Sequence, residues 1–234
     1  YLDKKSNLSI NRNAIDDYLK RRHFISPIEH PIRKICILKP GHKLIFSSKE
    51  WSLSESKFFK YENLFSKNLY IELNQLNQDQ YNERFNKIFL ETLEIMESSN
   101  ANGKISSSII SGGYDSSIVG GFLLEKRLNT DLYTMTFGEK DPVSKNVKNI
   151  LKSKYDYKKI NHTIIDCNLK NYYRSLIRSV DILSSPVNTH SIPSSYLVAQ
   201  NARKNGNRIL YGGEGADEIF LGYGCYRNLK NKSS

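Results

Sequence analysis

Short apolar runs alternate with helical patterns over residues 105–211, and this alternation constrains the fold more than any other feature of the sequence. Runs that predict strands lie at 105–110, 132–137, 162–165 and 208–211. Helical patterns lie between them, at 116–127, 144–155, 172–183 and from Pro193 to a C-terminal Gly206. Strands and helices that alternate over such short connections predict an α/β fold with a doubly wound parallel sheet.

The N-terminal third shows weaker and more varied patterns. From the N-terminus, these predict a helix at 14–22, a β-hairpin at 33–47 and an irregular connector at 48–76. The hairpin prediction rests on Pro40-Gly41, a dipeptide typical of turns. A long amphipathic helix is then predicted over 78–99. We therefore expect two domains, at 1–76 and 77–234.

A Ser/Gly-rich loop follows the first predicted strand of the α/β region, with the sequence Ser111-Gly112-Gly113-Tyr114-Asp115-Ser116-Ser117. Its glycines allow a tight turn that exposes backbone N–H groups, and the helix that follows adds the positive end of its dipole. The serine hydroxyls can donate to a phosphate chain, and Asp115 can bind a Mg²⁺ that bridges phosphate oxygens. No Lys follows the glycines, so the loop is not of the Walker type. The alternative is a plain turn with an ordinary helix cap.

A second glycine-rich loop follows the fourth predicted strand, with the sequence Gly212-Gly213-Glu214-Gly215-Ala216-Asp217-Glu218. Parallel strands end at the same edge of a sheet, so Asp217 could face Asp115 across one crevice. Two carboxylates there would suit a magnesium–triphosphate complex, and we expect them within about 10 Å of each other. Without the first loop, this segment would be interpreted as a glycine-rich turn with a solvated acidic cluster.

The composition excludes some classes of protein. No run approaches the ~18 apolar residues of a membrane helix, and the first ten residues do not resemble a signal peptide, so we expect a cytoplasmic protein. Three scattered cysteines and five scattered histidines do not indicate a zinc site. The net charge of +11 is compatible with nucleic-acid binding, but the lysines are spread along the whole chain.

The paired loops, SGGYDSS followed by GGEGADEIFLGY, resemble the synthetase domain of the class-II glutamine-dependent asparagine synthetases. Residues 9–59 resemble the end of that family's glutaminase domain and its linker, and Ser185-Pro186 and Ile192-Pro193 resemble a segment before its second loop. The resemblance implies an adenine nucleotide α-hydrolase-like ATP-pyrophosphatase domain. It also implies that the tail of a glutaminase-like domain precedes this domain.

The resemblance assigns roles to individual residues. The residues implied to bind the nucleotide are Ser111, Gly112, Gly113, Asp115, Ser116, Ser117, Met135 and Gly213. Among them, Met135 would contact the adenine through its backbone. Asp115 and Asp217 would share Mg²⁺. Glu214 matches a catalytic carboxylate of asparagine synthetases, whereas β-lactam synthetases tend to carry Tyr at that position. The residue therefore favours an amide made with ammonia over an internal amide.

The implied activity is that of an ATP-dependent, glutamine-hydrolysing asparagine synthase, which forms an acyl-adenylate and releases pyrophosphate. We expect a small carboxylate substrate, aspartate first, and glutamine-derived ammonia; a homodimer is left open. Alternatives are an internal-amide-forming relative (β-lactam synthetase or lasso-peptide cyclase), a tRNA-modifying ATP-pyrophosphatase, and a non-catalytic remnant. Nucleic acid is not the expected main ligand, because the second loop does not belong to the tRNA-modifying group.

The sequence departs from the family pattern in two places. The family's Asp…Ala-Arg pattern is poorly matched by Glu139-Lys-Asp141 and Asn146-Val-Lys148. The glutaminase nucleophile would lie upstream, and the helical remainder that supplies a catalytic Lys would lie beyond Ser234. We therefore expect these 234 residues to be inactive on their own.

Overall fold

The computed structural model describes residues 9–21, 30–98, 106–126, 130–138, 140–183 and 189–227. The chain divides into two compact units, Tyr1–Phe85 and Asn86–Ser234. The segment Ser185-Pro186 lies outside the described residues, as does Glu139. No described helix combines the length and apolar character needed to cross a bilayer.

The first unit contains a β-hairpin, but at a different place from the predicted one. Helix α1 (Arg12–Arg21) precedes strand β1 (His42–Ser47), which pairs antiparallel with β2 (Ser52–Lys57). The prediction of a hairpin at 33–47 is therefore wrong. The Pro40-Gly41 turn lies before β1, where the Gly41 carbonyl accepts bonds from Phe58 and Phe59 at the end of β2. Strand β2 was missed because its sequence, SLSESK, is too polar to read as a strand.

The rest of this unit is more regular than predicted. A 3₁₀ helix (Tyr61–Leu64) and helix α2 (Lys67–Asn74) occupy the region interpreted as an irregular connector. Helix α3 (Gln78–Ser98) matches the prediction closely, beginning in the first unit and ending in the second. Asn77 and Gln80 exchange side-chain-to-backbone hydrogen bonds of 2.9 and 3.0 Å, which fixes the start of α3.

A parallel four-stranded sheet forms the centre of the second unit. Its strands are β3 (Ser107–Ile109), β4 (Asp131–Thr136), β5 (His162–Asp166) and β6 (Leu210–Tyr211). Their spatial order is β5-β4-β3-β6, with every pairing parallel. The chain thus builds outward from β3 to β5 and then crosses back to place β6 on the other side of β3. The predicted α/β fold with a parallel sheet is confirmed.

Helices cover both faces of this sheet. They are α4 (Tyr114–Lys126), α5 (Val143–Lys154), α6 (Leu169–Leu183) and α7 (Ser191–Lys204), and two shorter helices, α8 (Ala216–Phe220) and α9 (Gly224–Arg227), follow β6. Leu132 of β4 packs with α4 and α5 on one face, whereas the neighbouring Tyr133 packs with α7 on the other. Both residues are fully buried, as expected for a central parallel strand covered on both faces.

His162, at the start of β5, is held in its neutral form by its neighbours. The Thr134 hydroxyl donates its only proton to the Ile110 carbonyl (2.8 Å), so the imidazole Nε2–H donates to Thr134 (2.8 Å). Nδ1 then accepts from the Tyr157 hydroxyl (3.0 Å). Burial, together with the nearby charge of Lys148, lowers the pKa of His162 to about 4. A protonated ring would break this chain of hydrogen bonds.

The buried imidazole predicts a loss of stability in mild acid. An unfolded histidine has a pKa near 6.5, so between that value and about 4 the unfolded chain binds a proton that the folded chain excludes. The free energy of unfolding should therefore fall as pH drops through this interval. Urea unfolding at pH 7 and pH 5 should show a larger loss for the wild type than for His162→Gln. An NMR titration showing an imidazole pKa near 6.5 would contradict this.

Candidate functional site

The two glycine-rich loops meet at the carboxyl ends of β3 and β6. These strands are neighbours in the sheet, although about 100 residues separate them in sequence. A Cβ atom built on Gly213 would lie 2.7 Å from the Cβ of Asp115 and 2.8 Å from the backbone N of Ser116. Only glycine therefore fits, and the second loop rests directly on the first. Because the sheet order reverses at this point, it is where α/β folds open a ligand crevice.

The first loop has the conformation of an anion-binding turn. Gly112 adopts φ +85°, which favours glycine, and the Gly113 carbonyl accepts the first helical bond of α4 from Ser117 (3.1 Å). Helix α4 begins at Tyr114, two residues earlier than predicted, so Asp115 and Ser116 lie in its first turn. Backbone N–H groups at the start of a helix have no intrahelical partner and favour negative charge.

The three serines of this loop differ in their surroundings. The hydroxyls of Ser111 and Ser116 bond to each other (2.9 Å), and buried Ser116 also accepts from the Ser111 N–H (3.1 Å). These bonds close the turn. The Ser117 hydroxyl is buried with no hydrogen-bond partner among the described residues, and it borders a cleft between α4 and α5. Ser111 is thus the exposed hydroxyl of the three.

Met135 of β4 lies just past the end of β3. Thr134 and Thr136 pair with β5, so by alternation the backbone groups of Tyr133 and Met135 point toward β3. Tyr133 finds its partner there, since its carbonyl accepts from Ile110 (2.8 Å). No described residue supplies a backbone partner for Met135 on that side. Its N–H and C=O could therefore bind the edge of a flat heterocycle.

The second loop brings several carboxylates together. Gly215 (φ +91°) turns the chain into α8, whose first turn carries half-buried Asp217 and exposed Glu218. The hydrogen bond to Glu218 (2.7 Å), partial burial and the charges of Glu218, Asp217 and Glu214 together raise the pKa of Tyr223 to about 12. The three acidic residues therefore all lie near Tyr223. Tyr223 ends the motif GGEGADEIFLGY, but no sequence pattern indicates a role for it.

The turn after α8 holds these acids in place. Leu221 adopts φ +57°, and the Gly222 N–H donates to the Asp217 carbonyl (3.0 Å). A Cβ on Gly222 would overlap the Asp217 carboxylate. Sequence reasoning missed this turn because its role depends on the fold-back contact.

The family profile described as asparagine synthase matches residues 105–234, which is more than half of the chain. This protein belongs to the asparagine synthase family. Its members are ATP-dependent amide ligases of the ATP-pyrophosphatase type. No individual curated protein matches the chain.

The donor set of the two glycine-rich loops is compatible with magnesium. No group of three or more His, Cys, Asp or Glu able to hold a metal occurs among the described residues. However, Mg²⁺ commonly takes only one or two carboxylates from the protein and completes its shell with phosphate oxygens and water. The Cβ and backbone of Asp115 lie against Gly213, and the carboxylate of Asp217 lies in the space beside Gly222. The separation of the two carboxylates stays a prediction.

The segment where the sequence departs from the family pattern has a structural role here. Asp141 accepts from the Phe137 N–H (2.8 Å) and the Val143 N–H (3.0 Å), which closes the loop after β4 and caps α5. Asp166, at the end of β5, accepts from the Gly138 N–H (3.1 Å). These two carboxylates therefore anchor the loop to the sheet edge.

The contact between the loops predicts that Gly213→Ala destabilises the protein, whereas Gly212→Ala does not. The new methyl at 213 would collide with backbone atoms of the first loop, and overpacking of this kind costs about 1–3 kcal/mol. At Gly212 the nearest atom outside the chain neighbours lies 3.8 Å from the new methyl, which is an ordinary contact. Urea unfolding of both variants provides the measurement. Equal stabilities would show that the loops are not in contact.

Proposed function

We propose that this protein binds Mg-ATP in the crevice between β3 and β6 and activates a carboxylate as its acyl-adenylate. The contact of Gly213 with Asp115 and Ser116 carries the proposal, because it joins the two loops at the sheet's switch point. The ATP-dependent ligase chemistry of the family supports it.

The chain's own residues suggest how the nucleotide would lie. The unpaired backbone of Met135 would bind the adenine edge, and the loop Ser111–Ser117 would bind the phosphates through its N–H groups and the start of α4. Asp115 and Asp217 would hold Mg²⁺, which would neutralise charge on the phosphate oxygens. Gly213 would let the second loop approach the same phosphates.

The proposed reaction has two steps. In the first, a carboxylate oxygen of the acyl substrate attacks the α-phosphorus of ATP, and the bond to the β-phosphate oxygen breaks, releasing pyrophosphate. In the second, an amine nitrogen attacks the acyl carbon, and AMP leaves with the bonding electron pair. The protein would contribute alignment and charge neutralisation. A carboxylate near the acyl carbon would take the proton that the attacking nitrogen loses.

Glu214 is our candidate for that proton acceptor. It is exposed, and its charge acts on the same tyrosine as those of Asp217 and Glu218, so it lies in the acidic region beside the phosphate loop. Glu at this position favours ammonia as the nitrogen donor, with aspartate as the acyl substrate and glutamine as the ammonia source. A relative that closes an internal amide is the second candidate.

The Mg-ATP proposal predicts that Asp115→Asn weakens nucleotide binding by about tenfold or more, since removing one carboxylate ligand destabilises the metal–phosphate complex. Titration calorimetry with ATP should show the loss with magnesium and a much smaller one without it. Asp181→Asn, on exposed α6, removes the same charge and should bind as the wild type does. Binding of tRNA that survives high salt, with no affinity for Mg-ATP, would favour the RNA-modifying alternative.

The role of Glu214 predicts a defect in the second step alone. Glu214→Gln should keep pyrophosphate release, because the phosphate loop is untouched, but slow amide formation by ~10²–10⁴-fold, as loss of a general base does. Both products should be measured in the same reaction mixtures. Glu125→Gln on α4, which loses a surface pair with Lys154, is the control. Amide formation at the wild-type rate would exclude Glu214 as the base.

A further inference from the structure

A cleft of about 730 Å³ lies at the free edge of β5, away from the nucleotide crevice. Its walls come from α6 and α7, and its floor is formed by residues 163–166 of β5. Successive side chains of a strand point to opposite faces, so a cavity that touches four consecutive residues touches the backbone edge itself. The cleft therefore exposes main-chain groups of β5.

The outer edge of β5 carries backbone N–H and C=O groups that can form hydrogen bonds. Asn161 and Cys167 bond to β4, so residues 161, 163, 165 and 167 face β4 and the alternate residues face outward. Among the outward groups, the Asp166 carbonyl accepts from Asn171 (3.0 Å). The N–H and C=O of Ile164 have no partner among the described residues. An added strand could bond to both.

Positive charge surrounds this edge. Arg174, Arg178 and Lys204 line the cleft. Arg178 makes an exposed 3.7 Å pair with Asp181, whereas Arg174 and Lys204 form no ion pair with any described residue. The one acidic residue of the lining, Asp166, already accepts from Gly138 and Asn168. The cleft thus presents two uncompensated cations beside an unpaired strand edge.

We propose that this cleft binds an extended acidic peptide segment as an additional strand alongside β5. Peptide backbone would pair with Ile164, and carboxylates would pair with Arg174 and Lys204. A second copy of the chain fits less well, because pairing two β5 edges would bring like charges together. A free phosphate also fits less well, because its ionised oxygens accept hydrogen bonds and would leave the outward carbonyl of Ile164 without a donor.

The probe is a fluorescein-labelled hexapeptide of alternating Glu and Val, and its binding to the 234-residue chain is followed by fluorescence anisotropy. Two control peptides separate the two parts of the proposal. Alternating Lys and Val reverses the charge, and alternating Glu and Pro, with the Glu backbone nitrogens methylated, keeps the charge but leaves no backbone N–H donors between residues. Only the Glu–Val peptide should bind well. Hydrogen exchange should show the Ile164 amide becoming protected with this peptide and not with the Glu–Pro peptide.

Two matched double variants test whether Arg174 and Lys204 contribute to peptide binding. Arg174→Gln with Lys204→Gln should weaken Glu–Val binding by about tenfold, the effect of two modest ion pairs. Lys170→Gln with Lys145→Gln removes the same charge from exposed positions outside the cleft and should weaken binding less than about twofold. Equal losses in the two double variants would overturn the proposal, as they would show a general charge effect.

Other outcomes would replace the peptide with a different occupant. Protection of the Ile164 amide that rises with protein concentration in the absence of peptide would assign the edge to a second copy. Oligouridylate that binds more tightly than the peptide, and loses affinity in the Arg174→Gln, Lys204→Gln variant, would assign the cleft to nucleic acid. Pyrophosphate that displaces the peptide without sodium chloride doing so at equal ionic strength would assign it to a phosphate. Each result overturns the peptide proposal.

Discussion

The close approach of Gly213 to the backbone of Asp115 and Ser116 is the constraint on which the site depends. The parallel sheet brings β3 and β6 side by side, but it does not by itself bring their loops into contact. Contact requires that residue 213 have no side chain, since even a methyl would meet backbone atoms that cannot move aside. A larger residue would push the second loop away, and the acids of α8 would move with it.

The concentration of acids around this contact has an electrostatic consequence. Glu214, Asp217 and Glu218 all act on Tyr223, in a chain whose net charge is +11. Like charges held together repel, so the local backbone must be restrained. The αL residue Leu221, the glycine packed on Asp217 and the Tyr223–Glu218 hydrogen bond provide this restraint. Such an arrangement suits a site completed by a cation, which is why we favour magnesium bound with the nucleotide.

The sequence predicts the second unit well and the first poorly, for a physical reason. Strands buried on both faces, such as β4, are rich in apolar, aromatic and β-branched residues and are therefore visible in the sequence. Strand β2 is exposed along its whole length, so SLSESK carried no such signal, and the hairpin was placed at the apolar segment before it. Both glycine-rich loops can be recognised from the sequence because each is a run of consecutive residues. The contact between Gly213 and Asp115 could not be derived, because it depends on strand order across about 100 residues.

Unpaired backbone groups occur at two places beside the sheet, at the start of α4 and at the outer edge of β5. Their hydrogen-bonding groups differ, so we expect them to bind different ligands. At the switch point, the start of α4 offers N–H groups, which select anions such as phosphates. At the β5 edge, Ile164 offers one donor and one acceptor, which select another strand. An open edge invites self-association, and cations beside it oppose pairing between two copies of the same chain. The same cations attract carboxylates. Arg174 and Lys204 would therefore both prevent self-pairing and select an acidic partner, and neither effect requires the nucleotide crevice.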